Sequence, residues 1–240
     1  MGESASRGAA AVSELDEITR RLRRECPWDR EQDERSIVPH TVEEAYELAD
    51  AAGRGDDARM VDELGDVLFQ VHFLALLLEE RGAGDLAAVA DHCREKLIRR
   101  HPHVFGDAEA GSAAQVLTNW DRIKREQEGR GGDDPFADVP ENLPALLYAR
   151  KLQRRAESAG AAQADDEQVA RALRLAADEL AGLLAQGESA APTAGREERE
   201  RVEGALGELL LCAVDTARRL RVDPELALRG SATRLRELKD

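Results

Sequence analysis

Five of the nine carboxylates between residues 43 and 66 form two groups at helical spacing. Glu43, Glu44 and Glu47 lie in T-V-E-E-A-Y-E-L-A-D (41–50), and Glu63 and Asp66 lie in A-R-M-V-D-E-L-G-D (58–66). Residues three or four apart share a helix face, so Glu44 goes with Glu47 and Glu63 with Asp66. The turn Gly53-Arg54-Gly55-Asp56-Asp57 implies a short loop, which makes two helices antiparallel neighbours. The two acidic pairs can then face each other across a groove. Four carboxylates brought together repel and are costly to desolvate. A hard divalent cation with oxygen ligands removes that cost, and Mg²⁺ or Mn²⁺ suits such a donor set. Two structural readings compete: glutamate-rich helices are commonly solvated faces, and Thr41-x-x-Glu44 fits a capping box. Placement favours chemistry. Leu64, Val67, Leu68, Val71 and Leu74 form an apolar stripe, and Glu63 and Asp66 flank it rather than opposing it.

The elements that must position these residues are helices. The chain has 240 residues, with 3% aromatics and abundant Ala, Leu, Arg and Glu, a composition that favours helix over strand. Residues 1–12 read as a disordered leader of small residues. A first helix is expected from Ser13 to about Glu25, with Leu15, Ile18 and Leu22 on one side. Cys26-Pro27-Trp28-Asp29 stops it and sets Trp28 as a core plug, and residues 30–40 form an irregular approach with Pro39 ahead of a Thr41 cap. Helices follow over about 41–52, 57–81 and 85–100, the last with Leu86, Val89, Cys93 and Leu97 inward. Its final turns carry Lys96, Arg99 and Arg100. These cations either complement the helix dipole or form an anion-binding cluster in an otherwise acidic chain. Trp120 and Lys124 share a helix face beyond a Gly/Ala/Ser loop.

Residues 129–144 carry Gly131-Gly132, Asp133-Asp134-Pro135 and Pro140 and read as a linker. The segment 145–240 is again helical and echoes 13–128. Asp178-Glu179-Leu180-Ala181-Gly182 parallels the first acidic segment, and Ala205-Leu206-Gly207-Glu208-Leu209-Leu210 the second. Gly182 stands where Glu47 stood and Ala205 where Glu63 stood, so each helix of the copy lacks one carboxylate. A second working metal site is not expected there; packing, dimerisation or regulation is.

Lys and Arg number 34 against 49 Asp and Glu, a formal net charge of −15. That disfavours general nucleic-acid binding, which needs a basic footprint. Cys26, Cys93 and Cys212 are scattered, make no C-x-x-C pair and suit a reducing cytosol. No apolar run reaches transmembrane length and the N-terminus lacks a signal-peptide core, so a cytoplasmic protein without membrane attachment is expected.

Together, C-P-W-D (26–29), E-E-A-Y-E (43–47), E-L-G-D-V-L-F-Q-V (63–71), R-R-H-P-H-V-F (99–105), W-D-R-I-K (120–124) and L-P-A-L (143–146) resemble the MazG family of nucleoside triphosphate pyrophosphohydrolases, in the all-α NTP pyrophosphatase superfamily. E-E-x-x-E with E-x-x-D belongs to the whole superfamily, whereas R-R-H-P-H-V-F and C-P-W-D point to full-length MazG. The resemblance implies tandem helical repeats of four-helix-bundle type completed by dimerisation. It implies hydrolysis of an NTP or dNTP to the monophosphate and pyrophosphate by metal-activated water, with Mg²⁺. Matching positions make Glu44, Glu47, Glu63 and Asp66 the metal ligands. Lys96, Arg100 and Lys124 contact phosphates, with Arg59 a weaker phosphate candidate, and Trp120 lies near the nucleotide. Glu43 orients the attacking water, beside the catalytic ligand Glu44.

Rival chemistries fit less well. Di-iron bundles need Glu-x-x-His, and here the third residue after Glu44 is Glu47 and after Glu63 is Asp66. His72, on an apolar helix, reads as a packed core residue. A specialised dUTP, dCTP or phosphoribosyl-ATP pyrophosphatase is argued against by the tandem repeat and R-R-H-P-H-V-F. A non-catalytic nucleotide-binding scaffold is argued against by the intact carboxylates of the first repeat.

Overall fold

The computed structural model describes residues 2–112, 115–116, 119–120, 122–123, 134–137, 139–161, 164–191 and 194–237. Its regular structure is helical, and no strand occurs among the described residues. The chain forms two compact units, Met1–Ala108 and Glu109–Asp240. The first contains α1 (Gly2–Glu25), α2 (Pro27–Glu31), α3 (Glu34–Arg54), α4 (Asp57–Glu80), α5 (Leu86–Arg100) and α6 (Pro102–Phe105). The second contains α7 (Ala145–Ser158), α8 (Asp166–Ala185), α9 (Arg196–Arg219) and α10 (Pro224–Glu237). No helix among the described residues is long and apolar enough to cross a membrane.

The α3–α4 pair is the centre of the first unit, with α1 and α5 packed on α4. Its core is Ile37, Phe73 and Leu77, with Phe69 and Leu74 against them. Phe69 and Phe73 meet edge to face, ring centroids 5.9 Å apart. The α3–α4 link is two residues: Gly55 takes the left-handed conformation at φ 67°, which glycine adopts without a Cβ penalty, and Asp56 caps α4 by accepting from Arg59 N. His72 is sealed in the core at 1% exposure, as its sequence setting implies, with Nδ1 3.5 Å from Asp16 Oδ1.

Several local expectations need correction. Residues 2–12 are not a disordered leader but the first half of α1, where small residues permit helix although none of residues 5–12 is buried. Further along α1 the packed side is polar. Thr19 is buried, Arg20 pairs with Glu79 and Arg23 with Glu80, while Ile18 and Leu22 are exposed. Trp28 is a surface residue set against His40, and the buried member of that motif is Asp29. α3 begins seven residues before Thr41, with a reciprocal Asp33–Ser36 capping box. Pro39 lies inside it, because a proline near a helix start forfeits one hydrogen bond while Ile37 anchors the turn in the core. The Thr41 hydroxyl donates to Ile37 O instead of capping.

Of the apolar stripe of α4, Leu74 packs on the core and Val67 is half-buried, but the other three members face outward. Leu64 is 49% exposed, Leu68 38% and Val71 37%, while Glu63 and Gln70 are buried. On α5, Val89, Cys93 and Leu97 also face outward and Arg100 is buried. Periodicity identifies an apolar face, not what covers it, and the described residues of this unit leave these faces uncovered.

In the second unit α9 is the hub, packing on α7, α8 and α10, with Val169, Ala176, Leu183, Ala205 and Val214 buried. Polar ties supplement this small-residue core. Arg218 bridges Glu157 and Asp215, Arg150 pairs with Asp223, and Gln153 donates to Leu211 O at 2.9 Å.

Candidate active site

The helix spacing that puts Glu44 and Glu47 on one face of α3, and Glu63 and Asp66 on one face of α4, brings carboxylates together across the pair. Glu44, Glu63 and Asp66 each offer an oxygen, and these oxygens lie within 4.8 Å of one another. Among the described residues this is the one such group found. Glu63 is 5% exposed, Glu44 is half-buried and Asp66 is exposed, so the cluster opens to water on one side. The loss of the Thr41 cap matters here, because Glu44 is not committed to the helix start and its carboxyl enters the groove.

The electrostatics follow from the crowding. Burial pushes the Glu44 carboxyl above its ordinary value, and the charges of Asp66, Glu47, Glu63 and Glu43 push it further. Glu47, the fourth expected ligand, is not part of the converging group. It accepts from Arg59 Nη2 at 3.1 Å, while Arg59 Nε donates to Glu63 Oε1 at 3.0 Å. Arg59 therefore bridges the two helices through two of the four acids. The i, i+4 spacing of Arg59 and Glu63 is a readable ion-pair signal, and it identifies Arg59 as a partner of the acids before any phosphate. Glu43 is not in the converging group, and its Oε2 lies 3.7 Å from His40 Nδ1 on the same helix.

The remaining candidates are distributed. Lys96 is half-buried and Arg100 buried, one turn apart on α5, which packs on α4. Trp120 is half-buried within the second unit, and its neighbour Ile123 is 4% exposed. Lys124 lies outside the described residues.

An all-α unit built on an antiparallel helix pair with carboxylates gathered between the helices defines a class of acidic-groove bundle proteins. Comparison with known proteins narrows it. The MazG nucleotide pyrophosphohydrolase domain matches residues 32–105, which span α3, α4, α5 and α6. The chain is 36% identical over 204 residues to a nucleoside triphosphate pyrophosphohydrolase of Escherichia coli K12, covering 85% of this chain and 74% of that protein. It is 39% identical over 209 residues to the nucleoside triphosphate pyrophosphohydrolase/pyrophosphatase MazG of Thermotoga maritima, covering 87% and 75%. A nucleoside triphosphate pyrophosphohydrolase of Mycobacterium tuberculosis is 35% identical over 142 residues, covering 58% of this chain and 43% of that protein. The chain belongs to the MazG family of nucleotide pyrophosphohydrolases.

Proposed function

We propose that the groove between α3 and α4 is where this chain hydrolyses nucleoside triphosphates, ribo- or deoxyribo-, to the monophosphate and pyrophosphate. The observation that carries this reading is the convergence of Glu44, Glu63 and Asp66 in a chain of this family. The donor set is carboxylate oxygen, and the proton affinity of Glu44 is raised first by burial and then by its acidic neighbours, both of which a cation would offset. Such a site fits a hard divalent ion, Mg²⁺ first and Mn²⁺ as a substitute. When bound, that ion supplies charge neutralisation for the phosphates and lowers the pKa of water.

The chain's own residues divide the rest of the work. Glu44, Glu63 and Asp66 hold the cation, and Glu47 joins them if Arg59 lets go. The water oxygen attacks the α-phosphorus, the bond from that phosphorus to the α,β-bridging oxygen breaks, and pyrophosphate leaves. The water's proton passes to a carboxylate; Glu43 takes it directly or through a relay, after turning from His40. Lys96, Arg100 and Lys124 are the phosphate contacts the resemblance implies, and Trp120 lies near the nucleotide in the same reading. Phosphoryl chemistry of this kind needs positioning and charge neutralisation rather than a protein nucleophile.

We assign catalysis to residues 13–128 and a supporting role to residues 145–240, joined by 129–144. A homodimer is proposed, supported by the uncovered face Leu64–Leu68–Val71. Location in a reducing cytoplasm is supported by three free cysteines, and absence of nucleic-acid binding by the net charge of −15. The deciding experiment incubates purified protein with each NTP and dNTP plus Mg²⁺ and separates pyrophosphate from orthophosphate. Pyrophosphate release that disappears in Glu63→Gln is expected; orthophosphate alone, or unchanged turnover in that variant, would overturn the assignment.

A further inference from the structure

Arg59 makes contacts that neither its helix nor its position on the surface requires. It is the third residue of α4, and its backbone N–H is fixed by the Asp56 cap. From there its guanidinium reaches Glu63 on its own helix at 3.0 Å and Glu47 on α3 at 3.1 Å. Glu63 is nearly sealed from water, and a buried carboxylate without a counter-charge is strongly unfavourable. Arg59 supplies that charge. It does so with Oε1 of Glu63, a residue of the converging group, and with Glu47, which lies outside that group. A planar guanidinium holding two carboxylates is a directional, charge-assisted contact.

Building on the metal-site reading above, we propose that Arg59 is the internal counter-ion of the acidic groove, competing with the divalent cation for Glu47 and Glu63. In the metal-free protein Arg59 holds the α3 and α4 acids together and keeps Glu47 turned aside. Metal loading requires the guanidinium to release Glu47, which completes a four-carboxylate set. The released guanidinium then stands at the rim of the groove as a ready partner for an anion, which accounts for its candidacy as a phosphate contact. An opposite role is also physically available: an arginine that merely orients Glu63 from outside the coordination sphere would strengthen metal binding. The two roles differ in the sign of one measurable effect.

The test titrates Mn²⁺ into full-length wild type, Arg59→Met and Arg59→Lys, by calorimetry or by the electron paramagnetic resonance of free Mn²⁺. Melting temperatures in chelator and in saturating Mn²⁺ accompany each titration. Competition predicts that Arg59→Met binds Mn²⁺ more tightly by roughly tenfold, the effect of removing one like charge from beside a divalent ion even in a water-like dielectric. Arg59→Lys, which keeps the charge but cannot span both acids, falls between. In chelator Arg59→Met melts below wild type, and saturating Mn²⁺ closes that gap. Inorganic pyrophosphate affinity in Mn²⁺ drops in Arg59→Met. Mn²⁺ binding that is unchanged or weaker in Arg59→Met overturns the proposal and leaves the metal site standing. No Mn²⁺ binding in either protein overturns the metal site itself, and the proposal with it.

Discussion

Glu63 and Leu64 are adjacent in sequence and inverted in exposure: the carboxylate is 5% exposed and the leucine 49%. A charged residue turned inward beside an aliphatic one turned outward is the reverse of ordinary burial preferences. Arg59, whose Nε donates to Glu63 Oε1 at 3.0 Å, accounts for the first half. The proposed homodimer would cover the second, since the outward face continues through Leu68 and Val71. Leu68→Glu is therefore expected to halve the solution mass measured by light scattering while far-ultraviolet circular dichroism keeps its helical signal. A wild type that is monomeric at micromolar concentration, or a dimer that tolerates Leu68→Glu, would remove this face as the interface.

Glu44 is held in a setting that disfavours its charge. Its folded pKa is raised by burial and by four neighbouring acids. Such a group contributes stability that is complete below the unfolded pKa and is lost as pH rises through the folded one. In chelator at neutral pH, Glu44→Gln is thus expected to melt above wild type. The difference should shrink as pH falls below the ordinary carboxylate range, where wild type is protonated too. The same variant should lose turnover by at least about a hundredfold, given the several kcal/mol of charge stabilisation a metal site supplies. A Glu44→Gln protein that is less stable at neutral pH would mean that the cluster is not repulsive.

Arg23 ties α1 to the rest of the first unit through four contacts. It pairs with Glu80 at 2.8 Å, donates to Asp29 O at 2.6 Å and to Gln32 O at 3.0 Å, and lies 5.8 Å from the Phe73 ring centroid. The Arg23 guanidinium holds the Glu80 carboxyl below its ordinary value. The sign is opposite to that of Glu44: this contribution is present above the unfolded pKa and lost as pH falls through the folded one. Glu80→Gln should cost less than about 1 kcal/mol at neutral pH, because the pair is partly exposed, and nothing in acid. Arg23→Ala should cost about 2 kcal/mol at either pH, because it strands two carbonyl oxygens as well. Urea titrations of both variants at two pH values measure the difference.

The helix pair and its acids were legible because they rest on local rules. Spacing of three residues placed Glu44 with Glu47 and Glu63 with Asp66, and the glycine-aspartate turn gave a short link. The start of α3 lies seven residues before Thr41 because the Asp33–Ser36 box caps it, a signal present in the sequence beside Pro39. The stripe Leu64–Leu68–Val71 was seen, but periodicity carries no information on which neighbour covers it. Arg59 shows the same limit in the site. Its pairing with Glu63 follows from spacing, while its reach to Glu47 depends on how closely α3 and α4 approach.

That approach is set at the two-residue link, and two glycines flanking Arg54 separate local backbone from packing. Gly55 sits at φ 67°, and a Cβ there meets nothing within 4 Å, so the cost of a side chain is conformational alone. Gly55→Ala should destabilise by about 1–2 kcal/mol, and Gly55→Asn by less, because asparagine enters the left-handed region more readily. Gly53 lies inside the last turns of α3 without a positive φ, and its Cβ position is also open. Gly53→Ala should therefore stabilise by roughly 0.5–1 kcal/mol through helix propensity. Thermal melts of the three variants give the ranking Gly53→Ala above wild type, then Gly55→Asn, then Gly55→Ala. A Gly55→Ala protein as stable as wild type would show that the link is not held left-handed, and with it would go the geometry that sets Glu44 opposite Glu63.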